Sequence, residues 1–277
     1  MKVSNITIGA DPELFLINKE TKKVISAVGI IPGEKGKPYR NKNMPKGFGL
    51  ETDNILAEFN IPPVTNETDF VDNILYMQNY IRNFVASKNL DILCAASQIV
   101  DDAQLQSPQA KLFGCDVDYN AYTGQANPKP KGEKTNLRSA GFHIHIGYKN
   151  PSINTSLGLV RYLDAYLGIP SILIDKDTRR RTLYGKAGCF RITSYGVEYR
   201  VLSSYLMSNI SLISWVYKQV MQAIDKYEEG NLERDCWNSM LIESKDIKNV
   251  INNNDTNKAL AFCKYLKIEL PCAEYLG

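Results

Sequence analysis

The chain of 277 residues is 44% hydrophobic and 23% charged, with a formal net charge of +3, the composition of a globular protein with a substantial core. So small a charge, with basic residues spread among acidic ones, gives no argument for nucleic acid as a partner. No apolar run approaches the length of a bilayer span and the first six residues lack the long apolar stretch of a signal peptide, so a cytosolic protein without a membrane partner is expected.

Residues 3–18 read as a strand, and 23–30 as its hairpin partner across a polar turn at 19–22. Residues 32–49, rich in Gly, Pro, Lys and Asn, have no periodicity and form a loop carrying Lys35, Lys37, Arg40, Lys42 and Lys46. A strand over 49–63 ends at Pro62-Pro63. A helix follows, with Asn66 as N-cap and Phe70, Ile74, Met77, Ile81 and Phe84 on one face. Another strand covers 91–100, and 101–137 is a long irregular stretch, the kind of loop that is usually functional or disordered. Then come the strand of 138–147, a helix over 154–167, an Arg-rich segment over 177–191 and a strand over 190–202.

The stripe Ile213, Val216, Val220, Ile224 and Tyr227 marks a helical C-terminal third over about 208–277. Strands and helices recur with no clear linker, which favours a single α+β domain over 1–277, built on a mostly antiparallel sheet. The six cysteines form no C-x-x-C pair and sit mostly in apolar segments, as reduced, packed thiols do.

Four strand-like segments place acids, histidines or arginines at alternate positions, where side chains share one face of a sheet. They hold Asp11 and Glu13; Glu51 and Asp53 followed by Glu58 and Asn60; the chain's only histidines, His143 and His145; and Glu198 with Arg200. Any one pair alone reads as surface acids or a salt bridge. Several carboxylates on one face repel each other and lose solvation unless cations neutralise them, and hard oxygen ligands with a histidine suit Mg2+ or Mn2+ better than zinc.

Arg179, Arg180, Arg181, Lys186 and Arg191 precede Arg200 and supply the opposite charge. Guanidinium groups grip phosphates, so acids beside an arginine cluster point to a nucleoside triphosphate bridged by divalent ions. The chain has no P-loop, Rossmann fingerprint or nucleophile elbow, which leaves the sheet and its metals to hold a nucleotide.

In their order these motifs resemble the glutamine-synthetase-like carboxylate–amine ligases, and most closely the phage-type COOH-NH2 ligase (amidoligase) type 2 family. The resemblance runs over about residues 5–210. Its carriers are Asp11-Pro-Glu-Leu-Phe-Leu16, the segment from Glu51 to Asn60, the His-x-His of 143–145 and the Glu-x-Arg of 198–200. It implies a sheet of the glutamine-synthetase and glutamate–cysteine-ligase catalytic type, with helices packed on its outer face. It further implies ATP and two divalent ions: Glu13, Glu51 and Glu58 on one metal, and Asp11, His143 and Glu198 on the other. His145 would contact the nucleotide phosphates, with Arg191 and Arg200 on the transferring phosphate.

Two departures stand out. Asp11 replaces a glutamate, and the Glu51–Glu58 spacing differs by one residue, which leaves Glu51 and Asp53 as alternative ligands. The substrate loop and ammonium site of glutamine synthetase have no alignable counterpart.

A ligase of this kind phosphorylates a carboxylate and lets an amine attack the acyl phosphate, with Glu51 or Asp53 as proton acceptor and the 32–49 and 101–137 loops as lids. The carboxylate and amine partners belong to small molecules or to peptides and proteins. A kinase acting on an amine or guanidine shares the same acid and arginine logic. A metal-dependent hydrolase of the amidohydrolase pattern needs further downstream histidines, and the chain has none.

Overall fold

The longest strand, β1 (Thr7–Asn18), organises the molecule because it changes partners halfway along. Its first half pairs with two neighbours, while Phe15–Asn18 pair with a third. Pro12 sits where the pairing to one neighbour ends, at Pro12↔Phe142, so an interior strand tolerates a residue without an N–H. The computed structural model describes residues 3–111, 118–128, 135–230 and 246–271.

The other strands are β2 (Val24–Ile25), β3 (Gly49–Asp53), β4 (Leu56–Val64), β5 (Leu90–Leu93), β6 (Ser97–Ile99), β7 (Tyr119–Asn120), β8 (Leu137–Ser139), β9 (Phe142–Gly147), β10 (Cys189–Thr193) and β11 (Gly196–Tyr199). The main sheet runs β3-β4-β1-β9-β11-β10-β7, with β2 and β5 attached to the far half of β1 and β6-β8 forming a separate pair. Every ladder among the described residues is antiparallel, so the expected α+β class with a mostly antiparallel sheet is what the structure has.

The helices are α1 (Glu67–Val85), α2 (Pro108–Lys111), α3 (Ile153–Leu163), α4 (Ile169–Ile174), α5 (Ile210–Glu229), α6 (Ile247–Asn252) and α7 (Thr256–Leu266). Asn66 caps α1 by accepting from the Asp69 amide at 2.9 Å, a contact worth about 1 kcal/mol. Helix α1 packs on β4 and β5, α3 on β10 and β11, and α5 on both helices. They cover the sheet face that carries Ile8, Ala10, Leu14, Ala57, Phe59, Ile144, Ile146, Val197 and Tyr199, all buried. The alternation along each strand therefore delivers the polar set to the opposite face.

Several elements differ from the sequence expectation. The strand over 49–63 is a hairpin, turning at Asn54 with a left-handed φ of 56°; asparagine tolerates that conformation where most residues do not. The strand over 91–100 is two strands in two sheets. Phe84 is 38% exposed, and Val85 takes its place in the core. The helix over 154–167 is longer: a π turn at Asp164–Gly168 joins α3 to α4, making Ile153–Ile174 one 22-residue helix.

By length and composition that helix could cross a membrane, contrary to the expectation that no such run exists; Arg161, Asp164 and Pro170 interrupt the apolar pattern and conceal it in the sequence. In the structure most of its residues are buried within the protein. Asp164 accepts from Tyr122 Oη at 2.9 Å and Tyr199 Oη at 2.8 Å, and burial pushes its carboxyl up to about 7.

Cys94, Cys189 and Cys263 are free thiols, half-buried or buried. Cys115, Cys236 and Cys272 lie outside the described residues, as do parts of the 101–137 loop and of the helical C-terminal third.

Candidate active site

The sheet register places the alternate-position residues side by side. Glu51 lies opposite Glu58, and Glu58 opposite Glu13, across β3, β4 and β1. Asp11 lies opposite His143, while His145 lies opposite Glu198, and Glu198 opposite Arg191, across β9, β11 and β10. Side chains directly opposed in this way stand about 5 Å apart at Cβ, so one face, with Asp53 two residues beyond Glu51, holds six carboxylates and two imidazoles.

In the first group, ligand atoms of Asp11, His145 and Glu198 all lie within 4.8 Å of one another. His145 Nε2 is 2.9 Å from Asp11 Oδ1; His143 Nδ1 is 3.5 Å from that oxygen and 3.7 Å from Glu198 Oε1. Asp11 Oδ1, His143 Nδ1 and His145 Nε2 are nevertheless buried without an aligned hydrogen bond. Burial alone would raise the Asp11 pKa, but the charge of His145, with that of His143, outweighs it and holds the carboxyl well below the usual carboxylate range. Burial likewise lowers His145, and Asp11 and Glu198 reverse the sign, leaving its pKa above the ordinary histidine value.

Tyr195, in the β10–β11 turn, hydrogen-bonds His145 Nδ1 and so aims Nε2 at Asp11. Glu198 is 1% exposed and gripped on both oxygens, by Arg191 Nη1 at 3.1 Å and by Arg200 Nη1. Two guanidinium groups thereby enter the site face with the carboxylate they neutralise.

The second group is Glu13, Asp53 and Glu58, again within 4.8 Å. Glu13 Oε2 accepts from the Gly141 amide at 2.5 Å. A side chain on Gly141 would overlap His143 Nε2, so glycine is what lets that ring lie over the backbone. Glu51 stands aside: its Oε2 accepts from the Gly36 amide at 3.1 Å, whereas Asp53 Oδ2 meets Lys35 Nζ at 2.7 Å. Of the two alternative ligands, the geometry groups Asp53 with Glu13 and Glu58. Burial, reinforced by Asp11, Glu13, Asp53 and Glu51, pushes the Glu58 carboxyl well above its usual value, and burial also raises Glu13 and Glu51.

Both groups fit divalent cations. The first pairs oxygen donors with imidazole and leaves buried donor atoms unsatisfied, and the second is oxygen-only with a surplus of negative charge.

Two clefts meet at this face. One, of about 390 Å3, is lined by Thr7, Gly9, Asp11, Asn60, His145 and Tyr195; the other, a narrow recess of about 30 Å3, by Glu13, Asp53, Asp118, His143, Arg180 and Arg200 among others. The first lies in the size range of cofactor and substrate pockets, and the second has room for little more than an ion or a few waters.

The basic residues expected to bind phosphate divide. Arg191 and Arg200 are at the face. Arg179 is ion-paired to Asp177 at 2.7 Å with its side chain 52% exposed, Arg181 contacts Asn254 at 3.4 Å, and Lys186 is exposed; none of the three lines either cleft. Arg180 takes their place, buried and donating to the Val201 carbonyl at 2.7 Å, with its pKa lowered by burial to about 10. Gly185, at φ 74°, leaves no side chain in the space that guanidinium fills. Arg138, also buried, lines the second cleft, and its Nε donates to Asn54 Oδ1 at 3.1 Å. The sequence flagged Arg180 only as a member of the Arg-rich run, and gave no signal for Asp118.

An acid- and imidazole-bearing sheet face flanked by buried arginines defines a site suited to metal-bridged phosphate chemistry. Residues 132–241 match the model of a family described as phage phiEco32-like COOH.NH2 ligase-type 2, so the resemblance to that family holds over this segment. It contains His143, His145, Arg191, Glu198 and Arg200, while Asp11, Glu13, Asp53 and Glu58 lie outside it.

No curated protein matches the chain in sequence. Among solved structures, one described as a GmaS/ADP complex in conformation 1 aligns with 98% of this chain and 66% of its own, at 10% identity and a TM-score of 0.39. The chain thus spans 66% of that structure's length.

Proposed function

We propose that the protein is an ATP-dependent carboxylate–amine ligase that forms an amide or peptide bond through an acyl phosphate, with two divalent ions, Mg2+ or Mn2+. The observation that carries this is the convergence, on one sheet face, of Asp11, His143, His145 and Glu198 with Glu13, Asp53 and Glu58 between two clefts. The ligase-family match over the histidine and Glu-x-Arg strands supports it. Asp11, Glu198 and an imidazole, His145 being the nearer in the geometry, hold one ion, and Glu13, Asp53 and Glu58 hold the other. Ions held by these residues would supply positive charge to the phosphate oxygens.

The nucleotide takes the larger, less polar cleft beside Tyr195, and the carboxylate group is held at the mouth of the narrow recess beside Arg180 and Arg200. The carboxylate oxygen attacks the terminal phosphorus and ADP departs. Arg191 and Arg200 stabilise charge on the moving phosphoryl group, as positioned cations do in phosphoryl transfer. The amine nitrogen then attacks the acyl carbon, phosphate leaves with the former carboxylate oxygen, and the nitrogen's proton passes to Asp53 or Glu51.

An oxygen-18 transfer experiment tests this. With labelled carboxylate substrate, the released phosphate should carry one labelled oxygen, and sustained turnover of ATP to ADP should require both carboxylate and amine. Unlabelled phosphate, or a phosphorylated amine as the end product, would reject the ligase reading.

A further inference from the structure

The 32–49 loop is fastened to the site. Tyr39 and Leu50 exchange backbone hydrogen bonds of 2.7 and 3.0 Å, and Gly33, at φ 86°, packs against the Leu50 carbonyl and bonds Thr52. Fixed in this way beside β3, the loop turns Lys35 inward, so that its ammonium lies 2.7 Å from Asp53, an 8%-exposed carboxylate of the second acidic group. The next residue gives its amide to Glu51. A cation from the chain itself therefore already sits where Glu13, Asp53 and Glu58 concentrate negative charge.

We propose that Lys35 is an exchangeable counter-ion for this group: a divalent metal and the Lys35 ammonium compete for it, so metal loading and release of the 32–49 loop are one equilibrium. The proposal rests on the reading of Glu13, Asp53 and Glu58 as metal ligands. Competition follows because a divalent ion among these carboxylates repels an ammonium held on one of them, and a half-exposed lysine leaves more cheaply than a buried one. By linkage, whatever the metal does to the loop, the loop does to metal affinity. Without metal, Lys35 limits the repulsion among the acids and keeps the loop against β3. With metal, it is freed toward the cleft mouth, where the substrates enter.

The test is a calorimetric titration of the full chain with Mn2+ alone, with the step belonging to this group identified by its loss in Glu58→Gln. That step should tighten about five- to tenfold in Lys35→Met, a neutral side chain of similar length, and return to the wild-type value in Lys35→Arg. Hydrogen exchange of the 33–40 backbone should rise on adding Mn2+ in the wild type and be indifferent to Mn2+ in Lys35→Met. If Lys35→Met binds Mn2+ at this step as the wild type does, or more weakly, the counter-ion role is wrong while the metal site stands. If no protein shows a Glu58-dependent step, the ligand assignment fails and takes the proposal with it.

Discussion

The two acidic groups share a sheet face but differ in how their charge is balanced. Asp11 and Glu198 are surrounded by His143, His145, Arg191 and Arg200, a set that is neutralised by the fold itself. Glu13, Asp53 and Glu58 have only Lys35 in direct ion-pair contact among the described residues, and burial raises the pKa of two of them. One group is therefore part of the protein's structural electrostatics, and the other is a site of stored repulsion. Buried charges behave in opposite ways in these two situations: breaking a satisfied pair is costly, and removing one of several like charges is a relief.

The largest effect should come from the neutralised group. Glu198→Ala removes the carboxylate that two guanidinium groups share, and should cost about 3–5 kcal/mol of unfolding free energy in urea, metal absent. Glu58→Gln should behave oppositely under the same conditions, gaining up to about 1 kcal/mol. Equal losses in both variants would erase the distinction between the groups.

The pH dependence sharpens the comparison. A carboxylate whose folded pKa is raised contributes stability below its unfolded value and loses it as pH rises through the folded value. Metal-free protein should therefore lose stability from about pH 4.5 upward on account of Glu58 and Glu13, a loss that Glu58→Gln reduces. Asp11, with its lowered pKa, contributes the reverse: stability present above about pH 3.8 that disappears as acid is added. Thermal melts across pH 2–9 without added metal read both trends.

The smallest effect on stability should be that of Tyr195→Phe. It removes the hydrogen bond that aims His145 but leaves the ring, and should weaken Mn2+ or nucleotide binding by about tenfold with the melting temperature unchanged.

Much of this site was legible in the sequence because strand periodicity is rigid. Asp11 with Glu13, His143 with His145, and Glu198 with Arg200 had to share faces once their segments were strands. What was not legible depends on contacts distant in sequence. The Asn54 turn, which divides one expected strand into a hairpin and sets Glu51 against Glu58, is held by Arg138 and by the Ala110 carbonyl.

Lys35 was one of five cations in an aperiodic loop, and only the pairing of that loop to β3 singles it out. Among Arg179, Arg180 and Arg181, nothing local says which side chain turns inward; the Gly185 turn and the Val201 carbonyl decide it. The full length of the buried helix is not legible because Arg161, Asp164 and Pro170 interrupt its apolar pattern.

The most direct measurement of the central claim is anomalous scattering from a crystal of the protein with Mn2+ and a non-hydrolysable ATP analogue. The account predicts two Mn2+ peaks on this one sheet face, one among Asp11, His145 and Glu198 and the other among Glu13, Asp53 and Glu58. No Mn2+ density on that face, or nucleotide bound elsewhere on the molecule, would contradict it.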